Sequence, residues 1–167
     1  QLIDDFLDLS RLALGRVKFQ FKNDDLIKII DEIKSSLDEF AKRNNAKINI
    51  VGPKELIFKM DLLRINQTIT NLVKNAIDAM KGKGQLSLRL IEDQKVVKIE
   101  ISDTGKGIPK SKFKKVFETG YTSKKRGWGL GLSFAKRIIE EYHNGNIKVL
   151  KSDLGKGTTF GIKLRKV

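Results

Sequence analysis

Residues 85–103 constrain the fold more than any other stretch. QLSLRLIE (85–92) and KVVKIEISD (95–103) both alternate apolar and polar residues, and Asp93-Gln94 separates them. Period-two alternation on both sides of a two-residue turn predicts a hairpin with one buried face. A sheet buried on one face needs a second layer to cover it. The preceding segment supplies one: Asp61 can cap a long helix through Met80, and Gly82 and Gly84 end it. A further helix fits 24–44. There Leu26, Ile29, Ile30, Ile33, Leu37, Phe40 and Ala41 fall on one face, and Asn44-Asn45 supplies the stop.

Short strands are expected at VKFQF (17–21), KINIV (47–51) and LIFKM (56–60), with Gly52-Pro53 turning the chain between the last two. A basic helix near 111–117 and a helix from about 130 to 143 precede two last strands, NIKVLKS (146–152) and TTFGIKLRK (158–166). Strand pairs alternating with helices predict an α+β fold. It is a two-layer α/β sandwich, its mixed, mainly antiparallel sheet covered by helices on one face. Residues 1–14 place Leu2, Phe6, Leu9 and Ala13 at spacings of four and three, a coiled-coil or bundle stripe that Gly15 can end. This reads as the tail of a longer helix. The expected division is therefore 1–15, a helical remnant, and 16–167, the main domain.

Composition removes several classes of function. The chain of 167 residues has no cysteine and one histidine, which excludes thiolate zinc sites, disulfide frameworks and Cys nucleophiles. No run of about 18 apolar residues exists to span a membrane, and no signal peptide is visible. The chain opens with Gln, so it is read as a piece of a larger protein, of cytosolic character. The net charge of +14 points to an anionic partner. Residues 110–126 hold seven Lys/Arg against Glu118 alone. Aromatic residues are not interleaved with these cations, so single-stranded nucleic acid is a poor fit.

Four motifs carry chemistry. In NLVKNAIDA (71–79), Asn71, Asn75 and Asp78 share one helical face, while Leu72, Val73, Ala76 and Ala79 belong to the buried side. A carboxamide oxygen suits Mg²⁺ that already holds phosphate oxygens; by itself the pattern reads more readily as a polar helix face in water. DTGKG (103–107) follows a strand. Asp103 can accept from an exocyclic amine such as that of adenine, and Gly105 and Gly107 permit positive φ and close approach. GWGLGL (127–132) opens a helix with exposed backbone N–H groups that favour phosphate. It fits neither the P-loop nor the dinucleotide fingerprint. GKGTTF (155–160) enters the last strand, with the Thr158 hydroxyl able to reach a base or an ordered water. The single histidine, His143, precedes Asn144-Gly145 and reads as a helix C-cap, a position that favours the protonated ring.

In this order and spacing, the four motifs resemble the ATP-binding catalytic domain of two-component sensor histidine kinases, in the superfamily of gyrase, the Hsp90 chaperone and MutL. The likeness covers about residues 18–167. NLVKN is similar to the asparagine box, DTGKG to the first glycine box, GWGLGL to the second and GKGTTF to the last. KFKKVFETGYTSK, through Phe113 and Phe117, looks like the phenylalanine box that begins a mobile ATP lid. IDDFLDLSRL looks like the end of the second helix of a dimerisation and phosphotransfer domain.

The resemblance implies a Bergerat-type fold, with ATP and Mg²⁺ as ligands. It assigns Asn75 to Mg²⁺, Asn71 to the phosphate and metal end, Asp103 to the adenine amine, and Gly107 and Ile108 to packing beside the base. Gly129 and Gly131 would hold the phosphates, and Thr158 would complete the adenine pocket. Lys74 and Lys124 are the candidates for countering phosphate charge. Catalysis thus falls to Asn71, Lys74 and Asn75. The nucleotide-binding set is Asp103, Gly105, Gly107, Ile108, Tyr121, Thr122, Lys124, Gly127, Gly129, Leu130, Gly131, Leu132 and Thr158. The expected partners are the protein's own phosphotransfer domain, a response regulator and a second copy in a homodimer, with no nucleic acid. The expected location is the cytoplasm, with the full-length protein free to be membrane-anchored. Two departures stand out. Asp78 occupies a position that is often basic, and the phosphate-accepting histidine has no counterpart, so the chain alone is not expected to autophosphorylate. The alternatives are an ATPase or serine kinase of the same superfamily, or an ATP-binding scaffold. The ATPases carry a glutamate where Asn71 stands, which argues against water activation.

Overall fold

Apolar periodicity sets the helical layer. The computed structural model describes residues 2–122 and 130–166. Helix α1 (Leu2–Ala13) ends at Gly15, whose φ is +65°. Strand β1 (Phe21–Asp25) leads into α2 (Leu26–Arg43), which buries Leu26, Ile29, Ile30, Ile33, Leu37 and Ala41. The Asp25 carboxylate caps α2 by accepting from Ile27 N–H at 3.0 Å, and the same oxygen accepts from Leu56 N–H at 3.0 Å. Asp25→Ala therefore removes a cap and strands a buried amide. It is expected to cost about 2–3 kcal/mol and to lower Tm by roughly 5–10 °C in a thermal melt. Asn45, at φ +51°, turns the chain out of α2.

Strand β2 (Ala46–Val51) and strand β3 (Ile57–Asp61) then diverge. They were expected as a pair, but β3 joins β1 in a separate antiparallel ribbon, and β2 pairs in parallel with β4 (Gly84–Glu92). The first strand is also displaced from 17–21 to Phe21–Asp25. The reason is packing: Val17 and Phe19 spend their side chains on a small core of Leu12, Phe134 and Ile138, and pairing with β3 begins only at Phe21. Helix α3 (Leu62–Ala79) starts as expected, with Asp61 accepting from Arg64 N–H at 3.1 Å.

The main sheet runs β2-β4-β5-β7-β6, with β5 spanning Val96–Asp103, β6 Asn146–Asp153 and β7 Gly157–Arg165. All pairs except β2–β4 are antiparallel. The inward rows Leu86, Leu88, Leu90, then Val97, Ile99, Ile101, then Phe160, Ile162, Leu164 meet the buried faces of α2 and α3 in one core. This is the α+β two-layer arrangement that the patterning predicts. The basic 111–117 segment forms two 3₁₀ turns, Lys110–Lys112 and Lys115–Phe117; Phe117 is buried edge-on against Phe160. The helix expected over 130–143 is α-helical only over α4 (Gly131–Lys136) and continues as a π-helical segment, Arg137–Tyr142.

Candidate functional site

Helix α3 brings one polar row to the edge of the core. Leu72, Val73, Ala76 and Ile77 are buried; Asn71, Lys74 and Asn75 are half-buried, and Asp78 is exposed. Ala79, expected on the buried side, is half-buried, and its carbonyl accepts from Lys106 N–H at 3.0 Å. That contact docks the 103–107 loop on the helix end. A Cβ built on Gly105 would lie 2.5 Å from the Ala79 carbonyl oxygen, so only glycine permits this approach. Asn75 stands one helical turn before Ala79, and Asp103 two residues before Gly105. The structure thus brings the asparagine face and the aspartate to the same end of the helical layer.

Asp103 closes β5 and is 8% exposed. Its Oδ1 accepts from Gly105 N–H at 2.9 Å and from Thr158 N–H at 3.3 Å. Burial pushes its carboxyl pKa up, and the two backbone donors pull it back. The Asp103 carbonyl lies directly against Gly157, where a Cβ would sit 1.9 Å from it. Gly157 has φ +127°, a conformation few side-chain-bearing residues adopt.

Sequence reasoning missed Ser152, the last small polar residue of β6. Its Oγ accepts from Ile108 N–H at 2.7 Å and lies 3.0 Å from the Gly157 carbonyl and 2.8 Å from Thr158 Oγ1. It ties the first and last glycine loops together. Nothing in its motif context marks it: Ile108 lies 44 positions away, and Gly157 and Thr158 reach it only across the β6–β7 turn. Thr158 is buried, and its hydroxyl is already engaged with Ser152. Gly107, at φ +77°, passes against the Asp153 carbonyl.

The second glycine motif meets α3 at Asn71, one turn before Asn75. A Cβ on Gly131 would fall 2.5 Å from both side-chain polar atoms of Asn71, so Asn71 packs directly on the first residue of α4. Leu130 is half-buried, with its carbonyl accepting from Phe134 N–H and Ser133 Oγ. Ile108, Tyr121 and Leu132 are partly buried and pack on the main core, while Thr122 is exposed. Lys124, Gly127 and Gly129 lie outside the described residues.

His143 corrects one expectation. Its Nδ1–H donates to the Ile138 carbonyl at 2.8 Å, which is the expected cap, but Nε2 accepts from Asp61 N–H at 3.1 Å. An accepting Nε2 requires the neutral ring, and burial holds its pKa below the ordinary value of 6.5. The unfolded chain therefore binds the proton more readily. Stability is full above pH 6.5 and falls as pH drops through 6.5 toward the depressed folded value. The chain has one histidine, so the difference between parent and His143→Gln melts from pH 8 to pH 5 isolates this group. His143→Gln is expected to flatten the slope in that window while costing about 1–3 kcal/mol at pH 8.

Residues 60–167 match the family described as histidine kinase-, DNA gyrase B-, and HSP90-like ATPase. The sensor protein SrrB of Staphylococcus aureus is 32% identical over 172 residues, which cover 99% of this chain and 29% of that protein. The chain therefore spans under a third of the length of the curated relatives it matches. The catalytic domain of histidine kinase ThkA superposes with a TM-score of 0.81 at 28% identity, covering 89% of this chain and 99% of that one. The structure of ThkA in complex with response regulator protein TrrA matches at TM-score 0.79 and 25% identity, over 97% of this chain and 49% of that chain.

Proposed function

Because the chain belongs to the histidine kinase-, DNA gyrase B- and HSP90-like ATPase family, as an ATP-binding domain of the histidine kinase kind, we propose that it binds ATP with Mg²⁺ and serves phosphoryl transfer to a histidine. The observation that carries this reading is Asp103. A carboxylate buried at a strand end, walled by glycines on two sides, suits an amine donor that supplies the hydrogen bond water has lost. The adenine amine is that donor in this proposal. Gly105 and Gly157 let the Ala79 carbonyl and the Asp103 backbone approach closely, so the wall around the carboxylate is close-packed backbone.

Asn75 would hold Mg²⁺ through its carboxamide oxygen. Among the described residues, no group of three or more His, Cys, Asp or Glu side chains suits a metal ion, so in this proposal the ion arrives with the triphosphate. Bound there, Mg²⁺ would neutralise charge on the β- and γ-phosphates. Lys74, one residue before Asn75, would add positive charge, with Lys124 as the lid candidate. Asn71, resting on Gly131, sets the spacing between α3 and the N–H groups that open α4. A carboxamide at 71 is not a base for water, which favours kinase over ATPase chemistry.

Transfer breaks the bond between the γ-phosphorus and the β,γ-bridging oxygen and forms a phosphorus–nitrogen bond to an imidazole on the phosphotransfer domain. ADP leaves, and the phosphoryl group passes on to a response regulator. In the full-length protein the proposal includes a homodimer, with this domain on the cytoplasmic side. No helix among the described residues is long and apolar enough to cross a membrane. Calorimetric titration with ATP, with Mg²⁺ and with EDTA, tests the reading. Saturable binding weakened by EDTA is expected; no binding at millimolar ATP would overturn it. Phosphorylation of an added phosphotransfer domain tests the second half.

A further inference from the structure

The helices cover one face of the five-stranded sheet; the other face is open and strongly basic. Its outward positions carry Arg89 on β4, Lys98 on β5, Lys163 and Arg165 on β7, and Lys148 and Lys151 on β6, all exposed. The outward acids on these strands are Glu100 and, at the far end of β6, Asp153. None of the six cations forms an ion pair with another described residue. Lys98 and Lys163 are directly opposed across β5 and β7, an arrangement that destabilises a sheet. Asp93 in the β4–β5 turn lies near both, but its Oδ1 already accepts from Lys95 and Val96 N–H.

We propose that this open sheet face, centred on the opposed Lys98–Lys163 pair, docks on an anionic lipid surface. Charge complementarity supports the assignment: a broad field of unpaired cations needs a broad field of anions. Chemistry separates a leaflet from the alternatives. The face is rich in lysine and bears no aromatic side chain. Energetically important protein contacts favour Trp, Tyr and Arg, and single-stranded nucleic acid needs stacking platforms. Aliphatic side chains accompany the cations. Leu150, 43% exposed, lies over Gly161 on this face, and Leu154, 67% exposed, projects from the β6–β7 turn. Such side chains enter the headgroup boundary while lysines stay at the phosphates. The residues of the proposed nucleotide site lie on the helical side of the sheet, so docking leaves that site open.

Sedimentation with vesicles of 30% phosphatidylglycerol in phosphatidylcholine, against pure phosphatidylcholine, tests this. Binding to the anionic vesicles alone is expected, and it should be lost at 0.5 M salt. Each cation in contact strengthens partitioning about fivefold, so Lys98→Glu with Arg165→Glu should weaken it roughly 25-fold or more. Lys98→Glu turns the repulsion with Lys163 into attraction, so the variant folds, and its ATP affinity should be unchanged. Lys28→Glu with Lys34→Glu alters net charge equally, but on exposed positions of α2 in the helical layer. Retained binding in this control supports the proposal. Equal loss in both variants, no preference for anionic vesicles, or duplex DNA bound as tightly and with the same sensitivity to the sheet variant would each overturn it.

Discussion

Asp103→Asn is expected to abolish useful ATP affinity while leaving the domain folded and at least as stable. The side-chain oxygen of Asn can still accept from Gly105 and Thr158 N–H, the two bonds that seat Asp103. What changes is the second position of the head group, which becomes an N–H donor. Facing the adenine amine, also a donor, it loses a charge-assisted hydrogen bond and strands two donors, about 3–4 kcal/mol together. Calorimetry should show Kd rising at least a hundredfold. The stability change has the opposite sign. Burial raises the carboxyl pKa, so the folded state resists ionisation. The stability that Asp103 allows is fully present below its ordinary value of 3.8 and is lost as pH rises through the raised folded pKa. The Asn variant escapes that loss, so melts at pH 7 should show its Tm at or above the parent's. Equal ATP affinity in the variant would remove adenine from this pocket.

Gly157→Ala should produce the largest loss of stability among single methyl additions. The new Cβ would lie 1.9 Å from the carbonyl oxygen of Asp103, which pairs with Leu86 in the β4–β5 ladder. The backbone at φ +127° adds strain of its own. Relief requires β5 and β7 to part at the residues that hold Asp103. A cost of about 3–5 kcal/mol is expected, a fall in Tm of roughly 10 °C or more. Gly155→Ala is the matched control: φ is +77°, but nothing lies within 4 Å of the added atom. Its cost should stay near 1–2 kcal/mol. Equal melting temperatures for the two variants would show that close approach at Gly157 is not what shapes the pocket.

Much of this architecture is legible because it is local. Helices α2 and α3 declare themselves through 3.6-residue periodicity and the Asp61 cap, and β4–β5 through alternation around a two-residue turn. The asparagine face of α3 follows from spacing alone. Errors arise where a remote partner decides. VKFQF alternates well enough for a strand, yet Val17 and Phe19 pack on Leu12, Ile138 and Phe134, and the strand starts four residues later than position 17, at Phe21, where β3 is in reach. Likewise β2 and β3, adjacent in sequence, take different sheets. Ser152 is one serine among several in the sequence; only the folded chain sets it between Ile108, Gly157 and Thr158. His143 follows the same logic, since its protonation state depends on an amide 82 positions away.

The sequence by itself determined which faces are buried and which residue types each motif offers, because both follow from periodicity and side-chain chemistry within a few residues. Only the tertiary structure decided that Gly105 lands on Ala79, that Gly131 lands on Asn71, and that Asp103 sits behind Gly157. Those are contacts between segments tens of residues apart, and the path of the chain between them, not any local preference, sets their distance.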